Sequence, residues 1–267
     1  MSESLFEQAL GALLTADPAQ KCARTQALWA QWTAGALSLA GGGEIAPLPA
    51  PGRPARPPLV PPKELPKRNR LHTPAGRAVL LHALAHIEFN AVNLALDAVY
   101  RFRDLPRDYY HDWLNVAREE ARHFELLRDH IRGLEADYGD FPAHDGLWQM
   151  AVDTAHDPLV RMALVPRVLE ARGLDVTPGL IERLEAAGDP QAAAILRLIR
   201  RDEIGHVAVG TRWFHYLCAQ RGLEPVGTFF ALVEQYMKGR LKGPFNLEDR
   251  VQAGFLAAEL EQLRSLG

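Results

Sequence analysis

Cysteine is almost missing from this chain. Cys22 and Cys218 are the only two among 267 residues, too few for a disulfide framework and at no zinc-ligand spacing, which suits a reducing compartment. Both read as small buried hydrophobes. A charge excess is missing too. The 30 Lys and Arg against 33 Asp and Glu leave a formal net charge of −3, so no global cationic field draws the chain to nucleic acid or anionic lipid. No uninterrupted apolar run approaches the roughly 18 residues of a membrane span. Met1-Ser2-Glu3-Ser4 carries no basic leader region. A cytoplasmic location without a membrane partner is expected. No alternating apolar and polar pattern suggests a strand, and the chain reads as all-α.

What is present is helical periodicity with clear punctuation. Residues 3–14 repeat Leu5, Phe6, Ala9, Leu10, Leu13 and Leu14 on one face. Asp17-Pro18 then offers a cap and a first-turn proline for a second helix running toward Ala36 and Leu37, before Gly41-Gly42-Gly43. Nine of the 19 prolines fall between Pro47 and Pro66, which predicts an extended strap or linker. Lys63, Lys67, Arg68 and Arg70 read as a solvated basic run. The expected organisation is an N-terminal helical arm over 1–40 and a proline-rich strap over 41–71. A four-helix bundle with a crossover connection over 72–221 and a C-terminal helical extension over 222–267 complete it.

The bundle carries the chemistry. Two helices contain Glu-x-x-His, as Glu120-Ala121-Arg122-His123 and Glu203-Ile204-Gly205-His206. Residues three apart share one helix face, so each motif can offer a carboxylate and an imidazole to the same ion. A lone acid, Glu88 or Glu170, sits on the apolar stripe of each preceding helix, where an unpaired charge is costly. Glu88 precedes Glu120 by 32 residues and Glu170 precedes Glu203 by 33. The midpoints fall at Asp104, in Asp104-Leu105-Pro106, and just before Gly188-Asp189-Pro190. Hairpins folded there bring the four acids and two histidines to one level. Four carboxylates balance two divalent ions, and the absence of thiolate ligands points to iron or manganese rather than structural zinc.

His82, His86 and Asn90 form a neighbouring polar track, expected beside the ligands or partly exposed rather than among them. The arm carrying Glu170 is the least regular. Pro158 and Pro166 interrupt it, Gly173 and Thr177-Pro178 should end or bend it, and a short helix over 178–187 should follow. Gly205 and Gly210 are expected where packing or access near the ions favours a small residue. Two helices, Thr228 to Lys238 and Leu247 to Leu266, close the chain around Lys242-Gly243-Pro244-Phe245-Asn246.

These motifs resemble the ferritin-like di-iron carboxylate superfamily, in which two helices supply single glutamates and two supply Glu-x-x-His. Phe141-Pro142-Ala143-His144-Asp145-Gly146, the stretch Pro166 to Gly173 and Gly243-Pro244-Phe245-Asn246 are similar to a bacterial ferritin-like family of unassigned function. The resemblance implies that Glu88, Glu120 and His123 hold one side of a two-metal cluster and Glu170, Glu203 and His206 the other, with Glu120 and Glu203 bridging. Glu-Glu-x-Arg-His is similar to the Asp-Glu-x-Arg-His motif of di-iron monooxygenases, whose extra acid and arginine steady the ligands. Glu119, Arg122 and Asp202 correspond to them, while Gly205 replaces the second arginine.

The resemblance therefore implies two iron ions, with manganese as the alternative. It implies O2 and a small-molecule substrate as partners in hydroxylation or desaturation, together with an external electron donor. Ferroxidase or iron-handling activity and tRNA hydroxylation are the alternatives, the acidic pI weighing against tRNA, and a homodimer is compatible.

Overall fold

Two hairpins of long helices organise the molecule, seen in a computed structural model that describes residues 3–238, 241 and 243–266. In the first hairpin, α3 (Pro74–Arg101) turns through residues 102–106 into α4 (Arg107–Arg132). In the second, an interrupted arm leads through residues 187–189 into α8 (Pro190–Gln220). That arm comprises α6 (Pro158–Leu164), a π-helical segment (Val165–Glu170) and α7 (Ala171–Ala186). Thr73 caps α3 by accepting from the Gly76 amide at 3.1 Å, and Asp189 caps α8 by accepting from the Ala192 amide at 3.0 Å, each ahead of a first-turn proline. Asp104 and Gly188 make the turns at φ 60° and 76°, at or beside the positions equidistant from the paired glutamates. Short connections make neighbouring helices antiparallel.

The first hairpin is wrapped on several sides. α1 (Leu5–Leu13) packs on α3, and α2 (Pro18–Thr33) packs on α4. α3 is consequently buried without a break from Glu88 to Phe102. By length and composition it could cross a membrane, but 78% of its apolar window is buried inside the protein, the position of a core helix. α2 stops at Thr33, short of the expected end. Leu37–Ser38 instead pairs in parallel with Glu3–Ser4, forming a two-stranded pairing that the helical reading missed.

The proline-rich segment has no hydrogen-bonded ladder of its own, so its carbonyls are served from outside. The Lys21 ammonium donates to Leu13 O at 2.7 Å, to Gly52 O at 2.8 Å and to Asn93 Oδ1. Trp148 Nε1 donates to Pro49 O, and Arg53 pairs with Asp145 at 2.6 Å. Val60 N and Ala143 O complete a 2.8 Å backbone bond to the connector between the hairpins. That connector contains α5 (Gly146–Asp153).

Among the described residues, the C-terminal part holds three helices rather than two: α9 (Pro225–Met237), α10 (Leu247–Gln252) and α11 (Ala257–Leu266). Gly254 at φ 80° separates the last two. Lys242 of the expected joint lies outside the described residues. One continuous apolar core runs from Leu5 to Leu263 and includes these flanking helices.

The interrupted arm departs most from expectation. Pro166 cannot donate to the Met162 carbonyl, and the backbone adopts π spacing from Val165 to Glu170. Gly173 and Pro178 do not end α7, which runs unbroken to Ala186. Pro178 deprives the Leu174 carbonyl of its helical donor, and Asn246 Nδ2 donates to that carbonyl at 3.3 Å instead. The cost of an interior proline is thereby partly offset by a side chain 72 residues away.

Gly210 of α8 is required by the π segment. A Cβ there would meet Pro166 Cγ at 2.2 Å and Cβ at 2.3 Å, whereas nothing lies within 4 Å of a Cβ at Gly205. Gly210→Ala should therefore destabilise the protein by about 1–3 kcal/mol through overpacking. Gly205→Ala should be neutral or stabilise by up to about 1 kcal/mol through helix propensity. Thermal melts of the two variants check this, and equal midpoints would refute the close approach.

Candidate metal centre

The two hairpins carry all six predicted residues, and four of them, Glu88, Glu120, His123 and Glu203, come together as one group, with His206 adjoining Glu120 and Glu170 lining the same cavity as Glu88 and Glu203. Glu88 comes from α3, Glu120 and His123 from α4, Glu170 from the end of the π segment, and Glu203 and His206 from α8. Glu88, Glu120, His123 and Glu203 each place one potential ligand atom within 4.8 Å of the others, forming a group that could hold a metal ion. Glu120 is central. Its Oε2 lies 3.4 Å from His123 Nδ1 and its Oε1 lies 2.9 Å from His206 Nδ1, the latter without hydrogen-bond alignment. Glu88 Oε2 is 3.3 Å from His123 Nδ1, and Glu203 Oε2 is 3.7 Å from His206 Nδ1. Both imidazoles thus turn Nδ1 toward the acids.

Their other nitrogens are held crosswise. His123 of α4 meets Asp202 of α8 through Nε2 at 3.1 Å, and His206 of α8 meets Glu119 of α4 through Nε2 at 2.9 Å. Each acid immediately precedes a motif glutamate and orients the histidine of the opposite helix. An N–H donated to a carboxylate leaves the inner nitrogen free to face a cation, the usual arrangement behind a ligating histidine. Arg122, the third residue expected to steady the cluster, is exposed and bonds none of the six among the described residues. The outward direction of position 122 on α4 explains the difference.

Several polar atoms here have no hydrogen-bond partner among the described residues: Glu88 Oε2, Glu120 Oε1, Glu170 Oε2, Glu203 Oε2 and His206 Nδ1. Burial of so many acceptors without donors is expensive. Burial, reinforced by the Glu120 charge, pushes the Glu88 carboxyl well up, and burial with the Glu203 and Glu120 charges does the same to Glu170. Burial and Glu120 also raise Glu203. For Glu120 burial acts upward, but His206 and His123 outweigh it and hold its pKa low. Burial acts downward on His123, yet Asp202, Glu120 and Glu88 carry it to about 11, and the facing acids likewise raise His206. Asp202 is lowered to about 2 chiefly by His123.

Without a bound cation the cluster would hold protons that a metal must displace. Raised carboxyl and imidazole pKa values both mean extra bound protons, so metal loading should release protons and affinity should increase with pH between about 6 and 8. Calorimetric titration with Mn2+ in buffers of different ionisation enthalpy reads the release directly. An affinity independent of pH over that window would refute this reading.

Glu120, His123 and His206 close one wall of the cluster, while Glu88, Glu170 and Glu203 line a cavity of about 150 Å3 on the other. The remaining walls are largely apolar, including Ile87, Leu94, Leu169 and Ile199. His82 and His86 are buried rather than partly exposed. His82 Nε2 accepts from the Gly139 amide, and His86 bonds Tyr138, the His144 carbonyl and Asn90. They fasten the connector to α3.

A clamp that the sequence reading missed is Arg167, three residues before Glu170. It donates to Glu259 of α11 at 2.7 Å, with neither side chain exposed to solvent. Its guanidinium also lies over the rings of Phe214, Phe229 and Phe255 at 4.6, 4.3 and 4.6 Å. No local spacing announces a pair separated by 92 residues.

The family model described as "Protein of unknown function (DUF455)" matches residues 14–261. A curated protein of Haemophilus influenzae, described as "Uncharacterized protein", is 51% identical over 215 residues, covering 78% of this chain and 74% of that protein. No solved structure matches the chain significantly.

Proposed function

The chain belongs to the DUF455 family, and on that footing we propose that it is a non-haem di-iron oxidoreductase built on a ferritin-like four-helix bundle. In this reading it uses O2 and an external electron donor to hydroxylate or desaturate a small molecule, with manganese as the alternative metal. One observation carries the proposal: four buried carboxylate oxygens without donors converge with two imidazole Nδ1 atoms whose far nitrogens are already held by acids. An acid cluster with its oxygens buried in this way is satisfied by cations. Oxygen and imidazole donors without a thiolate fit iron or manganese.

Glu88, Glu120 and His123 would hold one ion and Glu170, Glu203 and His206 the other, with Glu120 and Glu203 placed to serve both. The pair would supply O2-dependent two-electron oxidation. The protein's own part is orientation and exclusion. Asp202 and Glu119 direct the imidazoles, while the closed histidine wall keeps water from one side. The apolar cavity beside Glu88, Glu170 and Glu203 offers substrate an approach from the other side. An apolar space against the acids favours oxidation of an organic molecule over iron storage.

Anaerobic Fe2+ loading at rising ratios, followed by air, desalting, iron assay and sizing, tests the proposal. The expected result is close to two iron ions retained per chain, with O2 consumed on exposure to air and no mineral formed. Retention of at most one ion would reject a dinuclear centre. Tens of ions per chain in a large assembly would establish storage instead.

A further inference from the structure

We propose that the cavity beside the cluster, with the basic mouth outside it, binds an amphipathic anion: a carboxylate or phosphate head held at Arg68, with an apolar chain directed toward Glu88, Glu170 and Glu203. This names the substrate class for the oxidation proposed above and rests on that reading.

The inner chamber, about 150 Å3, adjoins an outer one of about 280 Å3, and Ile87, Leu147, Leu169 and Arg172 line both. The inner volume is below the roughly 300 Å3 at the lower end for drug-sized ligands. It suits a narrow apolar group rather than a bulky ring system. The outer chamber adds Arg68, His86 and His144 and has no acidic residue in its lining. His86 is occupied by Tyr138, Asn90 and the His144 carbonyl. Arg172 donates to Pro244 O at 3.0 Å and lies 3.7 Å from Asp175.

Arg68 differs from these neighbours. Its side chain is half-buried, its charge is felt by His82 and His144, and no carboxylate pairs with it among the described residues. A guanidinium partly withdrawn from water is best satisfied by a planar or tetrahedral oxyanion. The same charge repels a cationic head. Ile87, 40% exposed, gives the chain an apolar entry. The mouth thus selects the head, and the inner chamber selects the tail.

The test is calorimetric binding of octanoate, octyl phosphate, octanol and octyltrimethylammonium to the metal-loaded protein and to the same preparation after metal removal. Either anion should bind about 10-fold more tightly than octanol, the scale of one charge-assisted hydrogen bond. The tighter anion identifies the head. Arg68→Met should reduce anion binding to the octanol level and leave octanol unchanged, whereas Arg68→Lys should restore part of the difference. Ile87→Trp should weaken the anions and octanol alike. Equal affinity for all four heads, no binding of any octyl compound, or an Arg68→Met variant that keeps the anion preference would overturn the proposal. Metal analysis of each preparation keeps the two readings apart: anion selectivity without two metals per chain leaves this site standing and removes the oxidase, and the reverse result removes only this site.

Discussion

Glu120→Ala should empty the proposed metal centre. Glu120 is fully buried between both histidines, at 3.4 Å from His123 Nδ1 and 2.9 Å from His206 Nδ1, so its removal would take a ligand from both proposed metal positions and leave three carboxylates to balance two divalent ions. Metal content of protein grown with ample iron should fall from about two ions per chain to well below one, against the roughly 10–100-fold affinity loss typical of mutating an outer-shell partner. Glu119→Ala provides that contrast. It removes the 2.9 Å partner of His206 Nε2 while keeping every proposed ligand, so metal should be retained at saturating concentration and lost only on dilution or competition. Elemental analysis with far-UV circular dichroism separates loss of metal from loss of fold. A folded Glu120→Ala protein holding two ions would reject the assignment of this residue to the bridge.

Arg167→Met should lower the melting temperature by about 6–20 °C. The guanidinium and the Glu259 carboxylate are both 0% exposed and 2.7 Å apart, so truncating one partner leaves a buried charge uncompensated, typically at a cost of about 3–5 kcal/mol. At roughly 2–4 °C per kcal/mol for a chain of this size, that gives the stated range. The three aromatic rings around Arg167 would lose their cation–π partner as well. Adding Glu259→Gln should recover more than half of the loss, because it removes the orphaned charge rather than restoring a contact. Differential scanning calorimetry at saturating metal measures both variants. A single-mutant decrease of less than about 2 °C would show that the pair does not hold the C-terminal helices to the arm bearing Glu170.

The long helices and candidate ligands were legible because their signals are local or nearly periodic. Thr73-Pro74 and Asp189-Pro190 announce helix starts through backbone capping, which acts within three residues. The matching Glu-to-Glu separations could be read as two hairpins because a helix converts sequence distance directly into height. The course of the interrupted arm was not legible, since Pro178 ends a helix by local rules. Its neighbour Leu174 O receives a donor from Asn246 instead, a contact across 72 residues. Gly205 and Gly210 look alike in sequence, yet only Gly210 faces the Pro166 ring.

By itself the sequence determined a mostly helical chain with two acid-bearing hairpins and the residue types of a candidate metal centre, because capping, periodicity and motif spacing are properties of adjacent or nearby residues. Tertiary structure alone decided which acid steadies which histidine: Asp202 holds His123 and Glu119 holds His206 across the helix pair. It also decided that Arg122 faces away, that Arg167 is clamped by Glu259, and that an apolar chamber opens on the Glu88, Glu170 and Glu203 side. Each depends on the rotation and separation of packed helices, which follow from how their side chains interdigitate rather than from the order of residues along any one helix.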